Sequence, residues 1–251
     1  MRVIKEENSR KPLKRDGKQF AKRKINWRRI IAGFTLVISI VLLIGVLNYD
    51  KIQSLIGEHN QNAVISVHGK QKYKPNYNYN KVKPVSAASL AEAYKKRSNY
   101  KAVGQVAIPK LDINLNIYQG VGNTELNLGA GTMKPKQKMG QGNYCLAGHN
   151  MDDNKTFFSP LYSAKVNNSR VLKGMTVAVM NYKTVYYYTI EQAKFIKASD
   201  VYLLKDTGHT QISLFTCDYT GRGRLVVIGK YQYKQKLINA PKVIKQAFKK
   251  N

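Results

Sequence analysis

The sequence predicts an all-β sandwich or barrel held outside a membrane by one apolar helix. Three observations carry this. Residues 30–47 run eighteen positions without a charge. Leu111, Ile113, Leu115 and Ile117 alternate with Asp112, Asn114 and Asn116, the period of a strand with one buried face. Further short β-rich runs are separated by Gly, Asn and Asp rather than by helical patterns.

The first 29 residues hold twelve basic and three acidic side chains, a net of +9. As a helix, the uncharged run that follows is roughly 27 Å long, close to the hydrocarbon thickness of a bilayer. Trp27 at its leading edge suits an interfacial anchor. The charge asymmetry directs the N-terminus to the cytoplasm and residues from about 49 onward outside. A cleaved signal peptide would have a shorter apolar stretch and a small-x-small cleavage site. Leu47-Asn48-Tyr49-Asp50 is a poor one. An uncleaved signal-anchor is therefore expected, ahead of a cleaved signal or a buried core helix.

The chain has 251 residues, with 43 Lys and Arg against 14 Asp and Glu, a net charge of +29. At 43% apolar residues it can bury a core, which excludes wholesale disorder. A negative mean hydropathy excludes a polytopic membrane protein. Two cysteines exclude a disulfide-rich scaffold and a four-cysteine zinc site, and four scattered histidines make no metal cage. No metal and no cofactor are expected. The basic N-terminal run needs only anionic lipid as a partner, so no nucleic-acid partner is inferred. The part beyond residue 47 still carries +20, which suits either plain solubility or residence among wall polyanions.

Residues 49 to about 83 read as a linker, because 70–81 are polar, repetitive and aperiodic. A short helix follows, capped by Ser86 or Ser89, with Leu90, Ala91, Ala93 and Tyr94 on one face. Beyond residue 100 the strand runs are 103–108, 111–117, 144–147, 175–180, 185–190, 212–216 and 225–228. From residue 237 on, apolar residues at helical spacing among lysines form either a helix packed on the barrel or a basic amphipathic segment touching membrane or wall polymer.

Cys217 ends an apolar strand, a turn-like segment follows, and Arg224 opens the next strand. In an antiparallel hairpin the two would face each other, and a guanidinium favours the thiolate. A lone strand-end cysteine is more often a small core residue. His149 follows a short apolar strand at a loop start, where an imidazole can move protons for a nearby thiol. Arg222, two positions before Arg224, competes with it. Asp218 invites a Cys-His-Asp reading but is expected to be a turn residue. Cys145 is expected to be small and buried, with a regulatory disulfide to Cys217 the lesser alternative. His209 is expected to be solvated, and His59 and His68 carry no signal.

Taken together, Ala147-Gly148-His149, Phe215-Thr216-Cys217 and Arg224-Leu225-Val226-Val227 resemble the sortase family. The segments Val103-Gly104-Gln105-Val106-Ala107-Ile108-Pro109 and Gly129-Ala130-Gly131-Thr132 add to the resemblance, which covers about residues 100–233. It implies an eight-stranded closed β-barrel with short helices, preceded by one transmembrane helix. The signal-anchor, with no hydrophobic C-terminal anchor, points to class A. It also implies transpeptidation of Leu-Pro-x-Thr-Gly sorting signals of surface proteins onto an amine of a peptidoglycan precursor. By that match Cys217 is the nucleophile, His149 the general acid/base and Arg224 the oxyanion donor, while Thr216 supplies a further hydrogen bond to substrate. A specialised or pilus-type sortase and a non-catalytic wall-binding domain are the alternatives. Some class A members bind calcium through acidic residues. Here residues 133–139 are basic, so no calcium dependence is expected.

The expected organisation is a basic cytoplasmic tail over 1–29, a signal-anchor helix over 30–48 and an extracytoplasmic linker with a short helix over 49–99. The catalytic barrel then occupies 100–235 and a basic tail 236–251.

Overall fold

The computed structural model describes residues 26–63, 72–168 and 171–249. The basic run before residue 26, His68 and the start of the repetitive segment lie outside the described residues. The chain divides into two units, Met1–Leu47 and Asn48–Asn251. In the first, α1 (Trp27–Leu47) is 21 residues long with no buried side chain. At 1.5 Å per residue it is roughly 32 Å long. It is long and apolar enough to cross a membrane.

The second unit opens with α2 (Tyr49–Gln61) and α3 (Ala87–Lys96). Then come β1 (Gly104–Ile108), β2 (Ile113–Tyr118), α4 (Asn123–Leu128), β3 (Ala130–Thr132), β4 (Asn143–Ala147) and α5 (Ser159–Asn167). The remainder is β5 (Thr176–Met180), β6 (Thr184–Lys197), β7 (Gln211–Cys217), β8 (Gly223–Lys236) and α6 (Lys242–Lys249). The eight strands close a barrel in the order β1-β2-β3-β4-β7-β8-β6-β5.

Side chains alternate across the barrel wall as the strand period requires. Tyr144 and Leu146 of β4, Ile212 and Leu214 of β7, and Leu225 and Val227 of β8 point inward to the main core with Val106, Leu115, Ile117 and Val177. Cys145, Phe215 and Val226, one position out of phase, form a separate outer cluster backed by Met133, Ile196 and Leu204. That outer cluster underlies the candidate site.

Four expectations need correcting. Residues 49–61 are a helix rather than linker. Its buried Asn60 donates to the carbonyls of Leu90 (2.8 Å) and Asn127 (3.1 Å), so polar side chains that looked solvated bind α2 to α3 and α4. The strand around Ile113 is buried on both faces, because α2, α4 and α6 cover its outer side. Leu111 leaves it for a short 3-10 turn, Pro109–Leu111. Strands β6 and β8 run well past their apolar stretches. They pair with each other from Thr184↔Lys236 to Lys197↔Gly223, through positions whose polar side chains face water. In α3, Ala91 faces solvent while Leu90 and Ala93 are buried. Both serines act at its start: Ser89 N–H donates to Ser86 Oγ, and Ser86 N–H to Ser89 Oγ.

The C-terminal segment is a helix on the barrel. Ala240, Ile244 and Phe248 pack against Ala107, Ala178, Met180 and Tyr187, so its apolar stripe is taken up by β1, β5 and β6.

Candidate active site

The site grows from three adjacent strands. Strands β4 and β7 pair in parallel with Ala147 opposite Phe215, and Gly148 N–H donates to Phe215 O at 3.0 Å. Both strands therefore leave the barrel at the same rim, one leading into His149 and the other ending at Cys217. Strand β8 returns antiparallel with Arg224 directly opposite Cys217. Ser213, Phe215 and Cys217 share the outer face of β7, so the thiol stands over the outer cluster and not in the barrel core.

The loop after β4 fixes the histidine. A Cβ on Gly148 would stand 2.6 Å from Phe158 Cδ2, so only glycine lets the chain pass there. Phe158 N–H donates to His149 O at 3.0 Å. The Phe157 ring meets the imidazole edge-on at 5.8 Å and 72°. Asn150 Nδ2 donates to Cys217 O at 3.2 Å, tying the histidine loop to the cysteine strand.

Cys217, His149, Arg224 and Thr216 all line one cleft of about 240 Å³. Its apolar walls include Leu126, Met133 and Phe215. His149 is only 7% exposed, and burial pushes its pKa down to about 4. Burial also raises the Cys217 thiol; the Arg224 guanidinium opposes this and Asp218 adds to it. Burial thus disfavours the charged form of both groups. Arg224 Nη1 donates to the carbonyls of Gly221 (2.9 Å) and Gly223 (2.8 Å), which holds the guanidinium at the loop mouth. Thr216 is 3% exposed, and its hydroxyl has no hydrogen-bond partner.

Other candidates fall elsewhere. Arg222 is exposed and does not line the cleft. Asp218 accepts from Gly223 N–H (3.0 Å) and the Thr220 hydroxyl (2.8 Å), as a turn residue does. Cys145 is fully buried, and both cysteines are free thiols. His209 is exposed in the turn before β7. Lys134, from the basic 133–139 stretch, pairs with Asp206 at 2.9 Å.

Sequence reasoning missed part of the cleft. Tyr79 and Val82 come from the supposed linker, and Ile196, Lys197, Ala198 and Asp200 from the end of β6 and the turn after it. The 72–82 segment reaches the rim because Val121 N–H donates to Asn76 O at 2.7 Å. Its tyrosines, set among asparagines, were the one available sign that it packs.

A thiol at the rim of a closed barrel, over an apolar floor and facing a guanidinium, is an arrangement suited to a cysteine nucleophile. Relatives narrow the class. The family model described as Sortase domain matches residues 106–232. Sortase A of Streptococcus agalactiae is 38% identical over 187 residues, spanning 72% of this chain and 73% of that protein. Sortase A of Listeria monocytogenes is 33% identical over 158 residues, or 61% and 68%. The solved structure of Listeria monocytogenes sortase A superposes with a TM-score of 0.52 at 32% identity, covering 59% of this chain and 97% of that one. The chain belongs to the sortase family, and the relatives named above are sortase A proteins, consistent with class A. It is a cysteine transpeptidase of cell-wall anchoring, and α1 suits the membrane association of such enzymes.

Proposed function

We propose that this sortase cleaves Leu-Pro-x-Thr-Gly sorting signals between Thr and Gly and joins the new carboxyl end to an amine of a peptidoglycan precursor. The observation that carries the assignment of roles is the single cleft shared by Cys217, His149, Arg224 and Thr216.

In this reading Cys217 Sγ attacks the threonyl carbonyl while its proton passes to His149. Arg224 donates to the oxyanion that forms. As the carbon–nitrogen bond breaks, His149 returns the proton to the glycyl nitrogen, leaving a thioacyl-enzyme. An incoming amine then attacks the thioester. His149 takes the amine's proton and Sγ leaves to regain it, so the product is an amide. A neutral imidazole is the form that accepts the first proton, which agrees with its lowered pKa. The unpartnered Thr216 hydroxyl is the group available for a further substrate hydrogen bond.

The same reading sets the organisation: residues 1–29 in the cytoplasm, 30–48 across the membrane and the barrel of 100–235 outside. The test is incubation of the full chain in detergent with a quenched Leu-Pro-x-Thr-Gly peptide, with and without a peptidoglycan-type amine. Amine-dependent amide product is expected. Hydrolysis alone, unaffected by amine, would refute the transpeptidation of this signal.

A further inference from the structure

Helix α2 carries none of the residues that place the chain in its family, yet it is built against the loop that follows His149. Ser54, Gly57 and Gln61 lie three and four residues apart, on one helix face. Ser54 Oγ donates to Asp153 Oδ2 at 2.5 Å. Asp153 in turn accepts from the N–H groups of Lys155 (3.0 Å) and Thr156 (2.9 Å), so its carboxylate organises the loop's turn. A Cβ on Gly57 would stand 3.4 Å from Phe157 Cε2 and 3.7 Å from Thr156 Cγ2, so the helix backbone lies directly against the loop. Gln61 Oε1 accepts from Phe157 N–H at 2.7 Å.

Phe157 is the residue that needs holding. It is 1% exposed and has a φ of +51°, a left-handed conformation costly for an aromatic residue. Without Gln61 its buried N–H would have no acceptor. Its ring is the one that meets the His149 imidazole.

We propose that α2 is a positioning element for His149, with Gln61 and Ser54 fixing residues 151–157 so that Phe157 stays seated against the imidazole. The proposal rests on the reading of His149 as the general acid/base. Other titratable groups lining the cleft are Cys217, Arg224, Lys197, Asp200 and Tyr79, and Asp50, Lys51, Glu58, Asp152, Asp153 and Lys155 flank the helix–loop contact. Gln61→Ala replaces none of them and breaks no hydrogen bond to them, whereas Ser54→Ala takes one hydrogen bond from Asp153 and Gln61→Glu adds a carboxylate.

The test uses the full chain in detergent micelles, with peptide turnover and ring-labelled histidine NMR as readouts. The His149 signal is assigned among the four histidines by its loss in His149→Gln. In Gln61→Ala, kcat should fall about tenfold with KM changed less than twofold. The His149 titration midpoint should rise from near 4 toward the ordinary imidazole value as the ring is uncovered. Gln61→Glu keeps an acceptor oxygen and should recover kcat to within about threefold of the parent. An unchanged kcat and midpoint in Gln61→Ala overturn the proposal. If Gln61→Ala does not fold, Ser54→Ala should lower kcat about threefold with a midpoint shift of the same sign, and its absence overturns the proposal equally. His149→Ala in the same assay separates the two ideas: retained turnover there would refute the acid/base assignment itself.

Discussion

Cys145 and Cys217 stand on neighbouring parallel strands, on the same outer face of the barrel, and their surroundings differ. Cys145 lies within its strand, fully buried, with Sγ near the carbonyls of Asn143 and Leu204. Burial pushes its pKa up to about 12; Lys134 opposes this and Asp206 adds to it. Cys217 lies at the last position of its strand, partly exposed in a cleft, with Arg224 across the ladder. Its thiol is also raised by burial, but a guanidinium counters that. A cysteine two positions inside a strand is sealed by its neighbours. One at the strand's end is open to substrate and within reach of a charge on the returning strand.

The largest expected effect breaks the comparison at its strong end. Cys217→Ala should abolish thioacyl formation while circular dichroism and the melting temperature stay near those of the parent. Iodoacetamide followed by peptide mass analysis should modify Cys217 and leave Cys145 unmodified in the folded protein. Equal labelling of the two would erase the distinction.

Next in size, Arg224→Ala should reduce turnover by about 10²–10³, the usual cost of losing an oxyanion donor. Arg222→Ala, outside the cleft, should cost less than about threefold in the same peptide assay. A larger loss in Arg222→Ala would move the guanidinium's role to the wrong side of the turn.

The third prediction isolates burial from charge. His149 has a pKa pushed down to about 4, below its ordinary 6.5, so the folded state resists protonating it. The stability this represents is present above pH 6.5 and is lost as pH falls from 6.5 through about 4. Chemical denaturation across that range should show a slope of up to about 1.4 kcal/mol per pH unit from this residue. His149→Gln should remove that slope.

The smallest effect concerns the sealed thiol. Cys145→Ala should lower stability by about 1–2 kcal/mol through lost packing and leave kcat within about twofold. Urea titration and the peptide assay measure the two halves of that statement.

The turn-bounded apolar runs were legible because burial leaves a pattern in the sequence, and segment 30–47 because it carries no charge. The alternation around Ile113 located a strand but not its burial, since Asn114 and Asn116 are buried too. The same apolar pattern located β4, β7 and β8 without saying which side chains point inward. It failed where burial and polarity part company. Asn60 reads as solvated, yet its amide binds two carbonyls in the interior. Lys230 and Lys234 interrupt the apolar pattern of β8, whose end beyond Lys230 pairs with β6 but not with β7. Strand β3 has three residues, too few for any period. In the site, Cys217, His149 and Arg224 could be named from short motifs. The cleft walls from Tyr79, Val82 and residues 196–200 could not, because they are assembled by long-range contacts with no local pattern.

The parallel pairing of β4 with β7 has a cost in assembly. Parallel neighbours need a long crossover, and here that crossover contains α5, β5 and β6. The imidazole and the sulfur thus belong to segments far apart in the chain that meet when β4 pairs with β7. Chemistry that needs both groups therefore waits for the pairing of two strands distant in sequence.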